Sequence, residues 1–167
     1  MGPIIKRATY DDIPMIHDII MESFEKYAKD LGLPDKVEAL KETYESIKED
    51  IEKKIILVAW LGETPVGTIR CEVVEPGDTW YISRFGVKIS NHNNGVGKAL
   101  LLTVEKEAIK KKIKKLTLHT ATKMSNLVRL YYGMGFYIQS VTTDKGYIRG
   151  YFCKELNNLG EEKNGKD

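Results

Sequence analysis

Apolar residues follow two rhythms along this chain, and each change of rhythm falls at a glycine, a proline or a polar cluster. Ile4 to Ala8 reads as a short strand. Ile13, Ile16, Ile20, Phe24 and Tyr27 recur at helical spacing, which predicts a helix over about Asp12 to Lys29, with Pro14 in its first turn. Leu31-Gly32-Leu33-Pro34 ends it. Val37, Leu40, Tyr44, Ile47 and Ile51 predict a second helix from about Asp35 to Lys53. A meander of three strands follows, Lys54 to Leu61, Val66 to Glu75 and Thr79 to Ile89, separated by Gly62-Glu63-Thr64-Pro65 and Pro76-Gly77-Asp78. A third helix opens at Gly95, with Val96, Leu100, Leu101, Val104 and Ala108 on its buried side. Leu116 to Thr120 is a short strand. The helix before it calls for a parallel crossover. Ser125 to Gly133 is a fourth helix, and Phe136 to Thr143 and Tyr147 to Leu156 are two strands joined by Asp144-Lys145-Gly146.

The result is an α/β (α+β) single domain over residues 1–156, a mixed sheet of about seven strands flanked by about four helices. Residues 157–167 are polar and glycine-rich and read as a disordered tail. The final strand, Tyr147 to Leu156, reads as a sheet edge able to pair with a second copy.

Composition narrows the function without choosing it. At 167 residues, 42% hydrophobic and 30% charged, the chain suits one globular domain. A net charge of +2 is too small to point to nucleic acid or a membrane. The run Lys110 to Lys115 lacks interleaved aromatics, and lysines at a helix C-terminus favourably oppose its dipole. Cys71 and Cys153 are far apart and show no metal-ligand spacing, so no metal is expected and the reducing cytoplasm is the default compartment.

The chemistry gathers at the glycine turn. His92-Asn93-Asn94-Gly95-Val96-Gly97 leads from strand to helix, directing free backbone N–H groups and the positive end of a helix dipole at one point. That suits a phosphate-bearing ligand. A nucleoside-triphosphate loop requires G-x-x-x-x-G-K-[ST], but His92 holds its first position and Ala99 its last. A dinucleotide fingerprint requires a third glycine where Leu100 stands. The pyrophosphate of coenzyme A remains.

Here the chain resembles the GNAT superfamily of N-acetyltransferases. Its signature Q/R-x-x-G-x-G/A is filled by His92 to Gly97, and the apolar triplet before it by Phe85-Gly86-Val87. Leu116 to Asn126 (LTLHTATKMSN) resembles the family's fifth strand and following loop, and Leu130 to Phe136 (LYYGMGF) its F/L-Y-x-x-x-G-F element. Two positions depart from the pattern. His92 replaces Gln or Arg, and Met124 stands where the family often has asparagine, with Asn126 two positions on.

The resemblance implies transfer of an acetyl group from acetyl-CoA to a primary amine, by direct attack in a ternary complex without a metal. Acceptors of the class are small molecules, protein N-termini or lysines. Acetyl-CoA would lie against Phe85, Gly86, Val87, His92, Asn93, Asn94, Gly95, Val96, Gly97, Lys98 and Asn126. A bulge at Phe85 to Val87, tolerated by Gly86, would free backbone N–H groups for the thioester. Tyr131 takes the general-acid position. His119 stands where bacterial N-terminal protein acetyltransferases of the family carry a glutamate base; with a reference pKa of about 6.5 it would give an acidic limb between about pH 6 and 8. Tyr81 is a second relay candidate, Glu72 and Asp78 rank below it, and His17 reads as structural. Tyr27 to Pro34 and Thr142 to Tyr147 would line the acceptor cleft. Dimers are common in the family. The alternative is a non-catalytic module that holds acetyl-CoA as a sensor or scaffold.

Overall fold

A computed structural model describes residues 2–156. The expected tail, 157–167, lies outside them. The strands are β1 (Ile4–Arg7), β2 (Ile55–Leu61), β3 (Thr64–Val74), β4 (Thr79–Val87), β5 (Lys115–Ala121), β6 (Tyr137–Thr142) and β7 (Arg149–Glu155). The helices are α1 (Ile13–Leu31), α2 (Tyr44–Lys53), α3 (Val96–Lys110) and α4 (Ser125–Gly133). One seven-stranded sheet runs in the order β1-β2-β3-β4-β5-β7-β6. Its pairs are antiparallel except β4 with β5, the parallel crossover that the α3 pattern required.

The apolar run of β2 is continuous because both faces of the sheet are covered. Leu57 and Ala59 join one cluster with Ile69, Trp80, Leu100 and Val104, under α3 and α4. Ile56 and Val58 join the other with Ile16, Ile20 and Ile47, under α1 and α2. Leu100 is fully buried between α3 and the sheet, so its truncation to alanine would cost about 2–5 kcal/mol. No helix among the described residues is long and apolar enough to cross a membrane.

Two expectations are corrected. The second helix begins at Tyr44 rather than near Asp35, and short 3-10 turns, Pro34–Lys36 and Glu38–Lys41, precede it. Thr43 sets the boundary through a reciprocal cap: its Oγ1 accepts from the Ser46 N–H at 3.1 Å, and the Ser46 Oγ accepts from the Thr43 N–H at 2.9 Å. The final strand is not an edge. β7 lies between β5 and β6, antiparallel to both. Its Phe152 and Cys153 are fully buried, whereas β6 is largely exposed, so the hairpin tucks the greasier strand inside and leaves β6 at the rim.

Candidate active site

β4 and β5 are paired only where Thr79–Tyr81 meets Lys115–Thr117. Beyond that the two parallel strands part, β4 running on to Val87 and β5 to Ala121. Their carboxyl ends frame a cleft, the usual place for a ligand beside parallel strands.

A bulge on β4 shapes one wall. Thr68 pairs with Gly86 but Arg70 with Ser83, so Ile69 opposes both Arg84 and Phe85. The bulge therefore sits at Arg84 and Phe85, one residue before the expected Phe85 to Val87. Arg84 carries the distortion, with φ +50°, a conformation that costs a bulky residue about 1–3 kcal/mol. Its Nε–H donates to Glu42 at 3.2 Å. Gly86 serves close packing instead, since a Cβ there would stand 2.2 Å from Ser23 Oγ on α1.

A groove of about 560 Å³ runs between α1, the end of β4 and the start of α3. Phe85, Gly86, Val87, His92, Asn93, Gly95, Val96, Gly97, Lys98 and Asn126 all line it; Asn94 does not. Gly95 caps α3 with φ +86°, which a side chain would strain. The Ala99 N–H makes the first helical bond, to the Gly95 carbonyl, so the N–H groups of Val96, Gly97 and Lys98 have no partner within the helix. No acidic residue sits in that first turn to offset the dipole. The donor set therefore fits a pyrophosphate. His92 lines the groove with its Nε2 already engaged, donating to the Val87 carbonyl at 2.9 Å and bracing the turn against β4. Met124 caps α4 and packs into the cluster beneath α1, while Asn126 sits exposed in the first turn.

Next to Leu130, which lines the groove, α4 turns Tyr131 inward, 4% exposed, and leaves Tyr132 at the surface, 51% exposed. The Tyr131 ring is held by Phe85, Phe136 and Phe152, with centroids 6.2, 5.8 and 5.5 Å away. Burial raises its phenol above the usual range, with smaller contributions from Tyr27 and Tyr81. The group stays protonated, as a proton donor must.

A second pocket, about 150 Å³, is lined by Tyr131. It shares Phe24, Tyr27, Phe85 and Leu127 with the groove, so the two are continuous. Tyr81 and His119 form its floor and are hydrogen-bonded across the split strands, Oη to Nδ1, at 2.8 Å. The Tyr151 ring lies 4.8 Å from the imidazole. Burial lowers the His119 pKa, Arg149 lowers it further, and Asp144 opposes them. The ring is thus neutral at neutral pH. When Nδ1–H donates to Tyr81, Nε2 is left able to accept a proton. The hydroxyl of Tyr27 accepts from the Ala121 N–H at 2.9 Å and pins the end of β5 to α1.

Neither lower-ranked acid lines the pocket, although Glu72 stands opposite Tyr81 in the β3–β4 register. Glu72 pairs with Lys54 at 2.9 Å, and Asp78 precedes the opposite end of β4, its carbonyl accepting from Lys114. His17 contacts the Glu42 carbonyl and the Tyr44 ring, a structural placement. The residues missed were Arg84 and Arg149, which sit in strands whose inward positions read as ordinary alternation. The pocket also takes Tyr27, Lys145 and Tyr147 from the two loops expected to line it.

Residues 13–136 match the acetyltransferase (GNAT) family, and the chain belongs to that family. Its fold is shared with the PaiA N-acetyltransferase of Thermoplasma acidophilum, solved in complex with coenzyme A (TM-score 0.82, 21% identity, 93% of this chain and 99% of that one). The ribosomal-protein-S18-alanine N-acetyltransferase of Escherichia coli is similar at TM-score 0.75 and 17% identity, over 95% of this chain and 97% of that one. An IAA acetyltransferase from Bacillus cereus is similar at TM-score 0.71 and 18% identity, over 93% and 100%. No protein of curated function matches the chain in sequence.

Proposed function

We propose that this protein transfers the acetyl group of acetyl-CoA to a primary amine, by direct attack within a ternary complex. The observation that carries this reading is the continuity of groove and pocket around Phe85, with Tyr131 and the hydrogen-bonded Tyr81–His119 pair both lining the pocket that the groove opens into. A cofactor pyrophosphate on the α3 N-terminus would send its thioester arm inward along β4 to that junction. An amine in the smaller pocket would meet it there.

In the proposed step, His119 Nε2 takes a proton from the ammonium, directly or through a water, and later releases it to solvent. The free amine attacks the thioester carbon, and backbone N–H groups freed near the bulge polarise the oxygen. A C–N bond forms and the C–S bond breaks. Tyr131 gives its proton to the departing sulfur, and the second proton lost by nitrogen balances the one Tyr131 gave.

The deciding experiment is Tyr131→Phe. Turnover, read as free thiol released, should fall at least tenfold while calorimetric affinity for acetyl-CoA is retained. Unchanged turnover would remove the role of Tyr131. Slow acetyl-CoA hydrolysis with no acceptor used, across polyamines, aminoglycosides, amino acids and peptides, would favour the non-catalytic module.

A further inference from the structure

The charged side chains around the smaller pocket are mostly cationic, which acetyl transfer by itself does not require. Resting on the acceptor role given to that pocket above, we propose that the acceptor is an amino-acid-sized amine that also carries a carboxylate. Four cations line the pocket, Lys36, Arg84, Lys145 and Arg149, against a single carboxylate, Glu38. Glu38 is exposed and already engaged by Lys41 at 3.3 Å.

Two of the cations are partly neutralised by the fold. Arg84 shares the buried Glu42 carboxylate with Arg70, at 3.2 and 2.9 Å. Arg149 reaches Asp144 at 3.1 Å through Nη2. Its Nε is buried with no acceptor among the described residues, a costly state. Lys36 and Lys145 form no ion pair among the described residues. They come from separate turns that meet at the pocket mouth: the Lys36 stem lies 3.2 Å from where a Cβ on Gly146 would sit, next to Lys145.

A molecule with a second ammonium would face these charges with no free carboxylate to hold it. One with a carboxylate would be drawn in and oriented, its amine toward His119 and its anion toward the lysines. Size sets a further limit, because about 150 Å³ holds a group the size of benzene.

The test separates binding from turnover. On protein saturated with coenzyme A, calorimetry should find N-acetylaspartate at least tenfold tighter than its dimethyl ester. The double charge reversal Lys36→Glu with Lys145→Glu should abolish that preference while leaving coenzyme A affinity and Tm unchanged. Equal binding of acid and ester, or a preference that survives the reversal, would overturn the proposal. In turnover, aspartate should exceed both its dimethyl ester and spermidine in kcat/KM, mainly through KM. A faster reaction with spermidine would overturn it while leaving the acetyltransferase reading intact, and preference for a longer acidic peptide would overturn the size limit. Carboxylate-selective binding with no amine acetylated would do the reverse, sinking the enzyme and keeping the anion site.

Discussion

The groove and the pocket share Phe24, Tyr27, Phe85 and Leu127, yet they are built from different materials. The groove is made of backbone: a left-handed glycine, unpaired N–H groups at the start of α3, and a β4 segment packed so closely on α1 that only Gly86 fits. The pocket is made of side chains from distant parts of the chain, Tyr27, Arg84, His119 and Arg149 among them. A backbone site tolerates exchange of its side chains, which is why His92 can stand in the signature position and serve as a brace. A side-chain site depends on the identity of the groups that line it. The family is read from the first, and the proposed acceptor specificity rests on the second.

Substitutions that touch only one region sharpen the contrast. The largest effect is expected from Glu42→Ala, which leaves Arg70, 0% exposed, short of one carboxylate and frees the strained Arg84. Urea unfolding should show a loss of about 3 kcal/mol. The folded fraction should bind coenzyme A normally and the acceptor poorly. Equal damage to both affinities would mean the two regions are not separable.

His119→Gln comes next. Acceptor-dependent turnover should fall about tenfold, or about 1.4 kcal/mol in the barrier, with acetyl-CoA affinity intact. Full activity would reassign the base. Gly95→Ala should act on the groove alone, costing about 1 kcal/mol through its left-handed φ. It should weaken acetyl-CoA and leave acceptor KM unmoved.

The smallest effect is a shift in the pH profile. Because burial and Arg149 both lower the His119 pKa, with Asp144 opposing, the base works when neutral and is lost as pH falls through a value below about 6.5. The acidic limb thus lies lower than the unperturbed ring suggested. Arg149→Gln should move it back up. A limb unmoved by that change would separate it from His119.

The contrast also explains what could be read from residues alone. The buried face of α3 and the span of α4 were legible because glycine, apolar period and chain order act locally. The pairing of Tyr81 with His119 was not, although both residues stood out, because it depends on how far β4 and β5 diverge after Thr117. Arg84 was hidden for a similar reason, since its left-handed backbone follows from a one-residue offset against β3. The early start expected for α2 failed at Thr43, where a cap overrode an apolar period that continued through it. The misplaced edge came from chain order, because the last strand folds back inside the sheet.

The most direct test is the rate of thiol release from acetyl-CoA with and without an amine, with the acceptor then weighed by mass spectrometry. Amine-dependent release, accompanied by one acetyl group on the amine nitrogen, is the predicted result. Release that is independent of every amine offered, with no acetylated product, would contradict it.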